Sequence, residues 1–166
     1  MRQRPGSILL RNDYMLAMSD YTWHIPDPVT QPEFYDDVPT KRAIAWVIDS
    51  VLILVVSLLI LPFTAFTGIF FFPALLFVVG LVYRIATISR GSATWGMRVL
   101  SIEFRTRDGD KFDPTMAAMH TVAFSFSFVF FPLHVLSIIL ILTSQRRQSL
   151  VDHVLGTVVI NQRAGS

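Results

Sequence analysis

Hydrophobic positions fall in four blocks, parted by short breaks that carry proline, glycine or charge. Residues 43–63 hold one ionisable group, Asp49, in an otherwise uncharged run. About twenty apolar helical residues cross a hydrocarbon core of roughly 30 Å, so the run predicts a membrane span. Thr40 offers an N-cap ahead of it, and Pro62 closes it. A short uncharged connection leads to residues 69–83, which Arg84 and Arg90 end. The third block, 116–131, starts behind Asp113 and Pro114, a capping residue followed by proline at the first helical position. Pro132 interrupts it, and a shorter block follows over 133–142.

Two segments change period. Residues 98–104 (RVLSIEF) alternate large apolar with polar or small side chains, as a half-buried strand does. The Arg107-Asp108-Gly109-Asp110 run reads as a turn. Residues 157–160 (TVVI) are β-branched throughout and follow Gly156, a second strand signature. One strand alone cannot satisfy its backbone, so the two are expected to pair.

Basic residues then set an orientation. The connection after the first block has no Lys or Arg, whereas the 89–113 loop carries Arg90, Arg98, Arg105, Arg107 and Lys111. The positive-inside rule puts that loop, the N-terminal segment and the C-terminal segment on the cytoplasmic side. Strand pairing then requires residues 116–142 to enter and return as a helical hairpin broken near Pro132. The two arms would measure about 24 and 15 Å, too short for a full return crossing, so the hairpin reads as re-entrant. A single tilted helix is the rival. The expected fold is an all-α membrane protein of three to four transmembrane or re-entrant helices with a small cytoplasmic two-stranded β element.

Composition agrees. Of 166 residues, 52% are hydrophobic and 16% charged, with mean hydropathy +0.53, too apolar for a soluble domain of this length. The absence of cysteine excludes disulfides, thiolate metal sites and thiol nucleophiles. Residues 1–39 contain no apolar run long enough to insert and read as a flexible aqueous tail, with Met18 as an alternative start. The membrane domain is placed at 40–161 and a short tail at 162–166. Glycines 91 and 96 look like hinges where the second helix ends.

Candidate chemistry concentrates on a few side chains. A carboxyl group at membrane depth is costly and normally faces the protein interior. Burial disfavours its ionised form unless a cation offsets the loss of water, so Asp49 serves either as a proton carrier or as half of a fixed ion pair. Arg42, on the same helical face, lies about 10 Å away along the axis. Arg84, on the second helix, is the better geometric partner, and His120 is another neighbour. Asp152 is placed to bond Arg42 at the interface, clasping the C-terminal segment over the helix ends. His24, His120, His134 and His153 show no metal-ligand spacing. No nucleophile elbow or phosphate-binding glycine loop is present, so neither metal, cofactor nor enzymatic activity is expected.

These residues together resemble the RDD family of small membrane proteins, named for one arginine and two aspartates. The resemblance covers residues 41–161. Its first motif is Arg42, Ala45 and Asp49; its second is the GSATWG loop from Gly91 to Gly96; its third is Leu150 and Asp152 closing in Gly156, Thr157, Val158 and Val159. The chain departs from the family pattern at Met97, where lysine is usual, at His120, where arginine is usual, and at Thr94, a displaced loop threonine. The resemblance implies transport of an unknown ligand.

The functional expectation is a transporter or transporter component of a bacterial inner membrane, with a cation exchanged for protons through Asp49. Its partners would be the lipid bilayer and a second copy or another membrane protein, with no nucleic acid. An accessory or assembly subunit of a larger membrane complex is the alternative.

Overall fold

The structure is a computed structural model that describes residues 24–64 and 67–162. The expectations for residues 1–23, Met18 among them, and for 163–166 lie outside the described residues. Helix α1 spans Val38–Ile60 and α2 spans Phe72–Gly91. Helix α1 starts two residues before the expected Thr40 cap. Pro39 sits in its first turn, where a fixed φ suits the helix, and Asp37 precedes it in a left-handed conformation (φ 58°). A 3-10 turn over Leu61–Thr64 closes the helix at Pro62. Asp49 meets Tyr83 and Ile53 meets Gly80, so α1 and α2 run antiparallel.

Both helices are long and apolar enough to cross a membrane. Most of their length is not covered by protein: Val47, Val51, Leu58, Leu59, Val78 and Val82 all point outward. A helix apolar all round belongs in lipid or in a larger protein core.

The next segment differs from its expected form. Trp95–Val99 is a short helix, α3, and strand β1 begins only at Ile102, running to Thr106. The Thr94 side chain accepts from the Met97 amide and turns the first half of the anticipated strand into a helical turn. That turn lies against α1. Strand β1 pairs antiparallel with β2 (Thr157–Asn161), Phe104 opposite Val159, as the β-branched pattern required.

Ser92 then protects the other edge of β1. Its carbonyl accepts from Phe104 N at 2.7 Å, while its hydroxyl donates to Phe104 O and accepts from Phe112 N. The Ser92→Ala variant should lose about 1–3 kcal/mol, because it strands two buried backbone groups. Chemical denaturation of the purified protein reads that loss directly.

Helix α4 (Pro114–Val129) begins where expected, with Asp113 accepting from Met116 N at 2.6 Å. Helix α5 (Phe131–Thr143) follows after a bend of 114°. The bend is a turn at Phe130, whose carbonyl accepts from Leu133 N and His134 N, so the backbone groups freed there find partners locally. A single straight helix is thereby excluded. Both feet of this V rest on helix α6 (Leu150–Leu155), which leads through Gly156 into β2. The V counts as a third candidate crossing only if the bent pair is taken as one broken span.

The core sits at the strand-bearing end, where Val38, Ala45, Ile88, Met97, Phe104 and Val159 pack together. Residues 24–37, expected within the flexible tail, lie against this end: Phe34 and Tyr35 pack on Val158 and Ile160. Asn161 ties the segment down by donating to Glu33 O and Asp36 O, and Lys41 donates to its side-chain carbonyl. The folded unit therefore begins before residue 40.

Candidate functional site

Asp152 joins four elements. The Ser149-x-x-Asp152 pattern makes a capping box: Ser149 Oγ accepts from Asp152 N, and the carboxylate accepts from Ser149 N. The carboxylate, wholly buried, takes three further outside bonds. Arg42 Nη1 from α1 donates at 2.8 Å, His120 Nε2 from α4 at 3.0 Å and Thr157 Oγ1 from β2 at 3.0 Å. Ser149 Oγ adds a fifth donor at 2.8 Å. A carboxylate offers about four lone-pair positions, so this one has no capacity left. Burial alone would raise its pKa. The Arg42 guanidinium and the His120 hydrogen bond outweigh burial and hold the acid well below the usual carboxylate range.

Asp49 is bonded differently. It is 2% exposed, and only Oδ1 has partners: the Tyr83 hydroxyl at 2.6 Å and the Gly96 amide at 2.9 Å. Oδ2 accepts no hydrogen bond from any described residue. The close approach of α3 to α1 depends on the absence of a side chain at Gly96. A Cβ there would lie 2.3 Å from Ala45 O.

Between these acids lies a chamber of about 70 Å³ whose walls are mainly apolar, Trp46, Phe104 and Phe124 among them, and onto which Arg42, Asp49, Arg84, His120 and Thr121 converge. One water takes up about 30 Å³ of liquid, so the chamber has room for a few waters or one small ion. The Arg84 guanidinium stacks over the Phe124 ring at 4.6 Å and makes no hydrogen bond or ion pair to a described residue. Thr121 Oγ1 is buried and has no partner among the described residues. Arg42, Trp46 and Phe124 also line a larger, mainly apolar cavity of about 470 Å³ against α4 and α5. They form the partition between the two spaces.

The sequence-derived pairings thus hold in part. The Arg42–Asp152 bond forms as expected. His120 bonds Asp152 instead of Asp49, because the start of α4 packs onto α6. Arg84 shares the chamber with Asp49 but makes no direct bond to it; Tyr83, its neighbour in sequence, takes that position. Gly96 is less a hinge than a donor. Tyr83 and Thr121 carried no recognisable signal, and Gly96 stood out as a loop glycine and not as a donor to Asp49, whereas the Ser149-x-x-Asp152 spacing before an apolar run is a readable cap.

The family departures also find their places. His120, standing for the usual arginine, still donates to Asp152. Met97, standing for the usual lysine, is buried in the core and lines the chamber without charge. Thr94 caps α3.

No curated protein and no solved structure matches the chain. A model of the RDD family matches residues 38–156, most of the chain and every residue of the site just described except Thr157. The chain belongs to the RDD family.

Proposed function

We propose that the protein is a transporter, or a component of one, for a small charged solute, and that Asp49 is the carboxyl group that exchanges protons. One observation carries this reading. Asp49 and Arg84 face a shared, mainly apolar chamber with unused bonding capacity, while Asp152 has none to spare. A saturated carboxylate fixes a structure; one with a free oxygen beside room for water can take up and release a proton. The larger cavity lies just beyond Trp46 and Phe124, so a movement of these two side chains would join it to the chamber.

Two long helices and a short V do not enclose a continuous path, and α1 and α2 leave broad apolar faces outward. The reading therefore includes a homo-oligomer or a partner membrane protein. It places the strand-bearing end in the bacterial cytoplasm, since Lys41, Arg90, Arg105, Arg107 and Lys111 lie on that end. It assigns no catalysis to the chain. The rival role, an accessory subunit, draws on exposed Phe63, Phe70, Phe71 and Phe131, which lipid would cover equally well.

The Asp49→Asn variant separates charge from structure. An asparagine carbonyl can still accept from Tyr83 and Gly96, but it cannot carry a proton. The purified variant, reconstituted in liposomes with a trapped pH dye, is expected to keep its melting temperature within a few degrees and to lose ion-driven proton movement. Proton movement at the wild-type rate would overturn the assignment.

A further inference from the structure

We propose that the chamber binds a small monovalent inorganic anion, of the size of chloride or nitrate, on Arg84, and that it does so when Asp49 carries a proton. The inference rests on the transport reading and replaces its expected cation with an anion.

Charge is the first ground. The charged and titratable groups around the chamber are Arg42 and Asp49 on α1, Tyr83 and Arg84 on α2, and His120 on α4. Asp152, immediately behind, neutralises Arg42. With Asp49 ionised, Arg84 has its counter-charge across the chamber. With Asp49 neutral, the guanidinium is the one uncompensated charge among these groups, and the mainly apolar walls strengthen that imbalance relative to open water. A metal cation would meet Arg84 at either protonation state.

Donor geometry is the second ground. Arg84 presents N–H groups that bond no described residue, and Thr121, which lines the same chamber, has a buried hydroxyl with no partner among the described residues. Both can donate to an anion, and an arginine without a carboxylate partner is suited to that task. The volume of about 70 Å³ limits the guest to a small ion with little retained water. Proton and anion then balance one another, so that loading both leaves the net charge of the protein unchanged.

The test is thermal unfolding of the full chain in neutral detergent, with choline chloride titrated against choline gluconate at fixed ionic strength and neutral pH. Chloride should raise the melting temperature. In Asp49→Asn, where the acid is permanently neutral, half of the shift should come at about one-tenth of the wild-type concentration. Arg84→Gln should abolish the shift, and Thr121→Val should weaken binding about threefold to tenfold. Indifference of both wild type and Asp49→Asn to chloride would overturn the proposal, whether or not Arg84→Gln folds. So would a shift given by added phosphatidylglycerol but not by chloride, which would mark a lipid headgroup site. These outcomes are independent of flux: chloride binding without proton movement would defeat the transport reading alone, and proton movement without chloride binding would defeat this one alone.

Discussion

Replacing Asp152 by alanine is expected to cost about 3–5 kcal/mol, enough to remove most of the folded protein from the membrane fraction. The loss comes less from the missing attraction than from what it leaves behind. Arg42 becomes a largely covered guanidinium without its carboxylate, and His120, Thr157 and Ser149 each lose an acceptor. Those donors come from α1, α4, β2 and the start of α6, so one substitution loosens the joint among four elements and leaves the C-terminal segment held by its strand pairing and by Asn161. Acid should act far more weakly. The carboxyl group is held below its unfolded value near 3.9, so its contribution is complete above that pH and disappears as pH falls through the lower folded value. The stability gap between wild type and Asp152→Asn should stay constant from pH 8 to about pH 5 and narrow only below about pH 4. Denaturation midpoints across that range measure it.

Gly96→Ala is the second large effect. The new Cβ would stand 2.3 Å from Ala45 O and 2.9 Å from Asp49 Oδ1, and the first of these is backbone within a long helix. Helix α3 must move away from α1, which breaks the amide bond to Asp49 and shifts the carboxyl group that faces the chamber. A loss of about 2–3 kcal/mol is expected, accompanied by loss of proton movement. Gly91→Ala provides the contrast. Its Cβ would approach Arg98 Nη2 at 2.6 Å, and the tip of a flexible side chain can give way. That variant should keep transport and lose less stability, as denaturation and flux assays run side by side would record.

Much of the architecture was legible because lipid imposes simple rules. Uninterrupted apolar length marked α1 and α2, Asp113-Pro114 marked the start of α4, and Pro132 marked the break in the V. The β-branched run after Gly156 and the alternation near Phe104 located the paired strands. Arg42 and Asp152 could be matched because strand pairing brings both to one end of the fold. What escaped is what depends on backbone geometry. No pattern announces that Thr94 will cap α3, or that the Gly96 amide will donate to Asp49 across a tight helix contact. Charge matching favoured Arg84 for Asp49, yet a neutral tyrosine one residue earlier is bonded there, and the arginine rests on Phe124. The docking of Phe34 and Tyr35 onto β2 was hidden in a segment rich in proline and acid, whose composition suits a solvated tail.

In the proposed reading, two acids from different motifs of one family have opposite duties: Asp152 is locked in place and Asp49 exchanges protons. The most direct test is to melt Asp49→Asn and Asp152→Asn in parallel with wild type, in one detergent at neutral pH. Asp49→Asn should unfold within a few degrees of wild type, while Asp152→Asn should unfold far lower or show no cooperative transition. Equal losses in the two variants would contradict the account, because both carboxyl groups would then be fasteners of the fold.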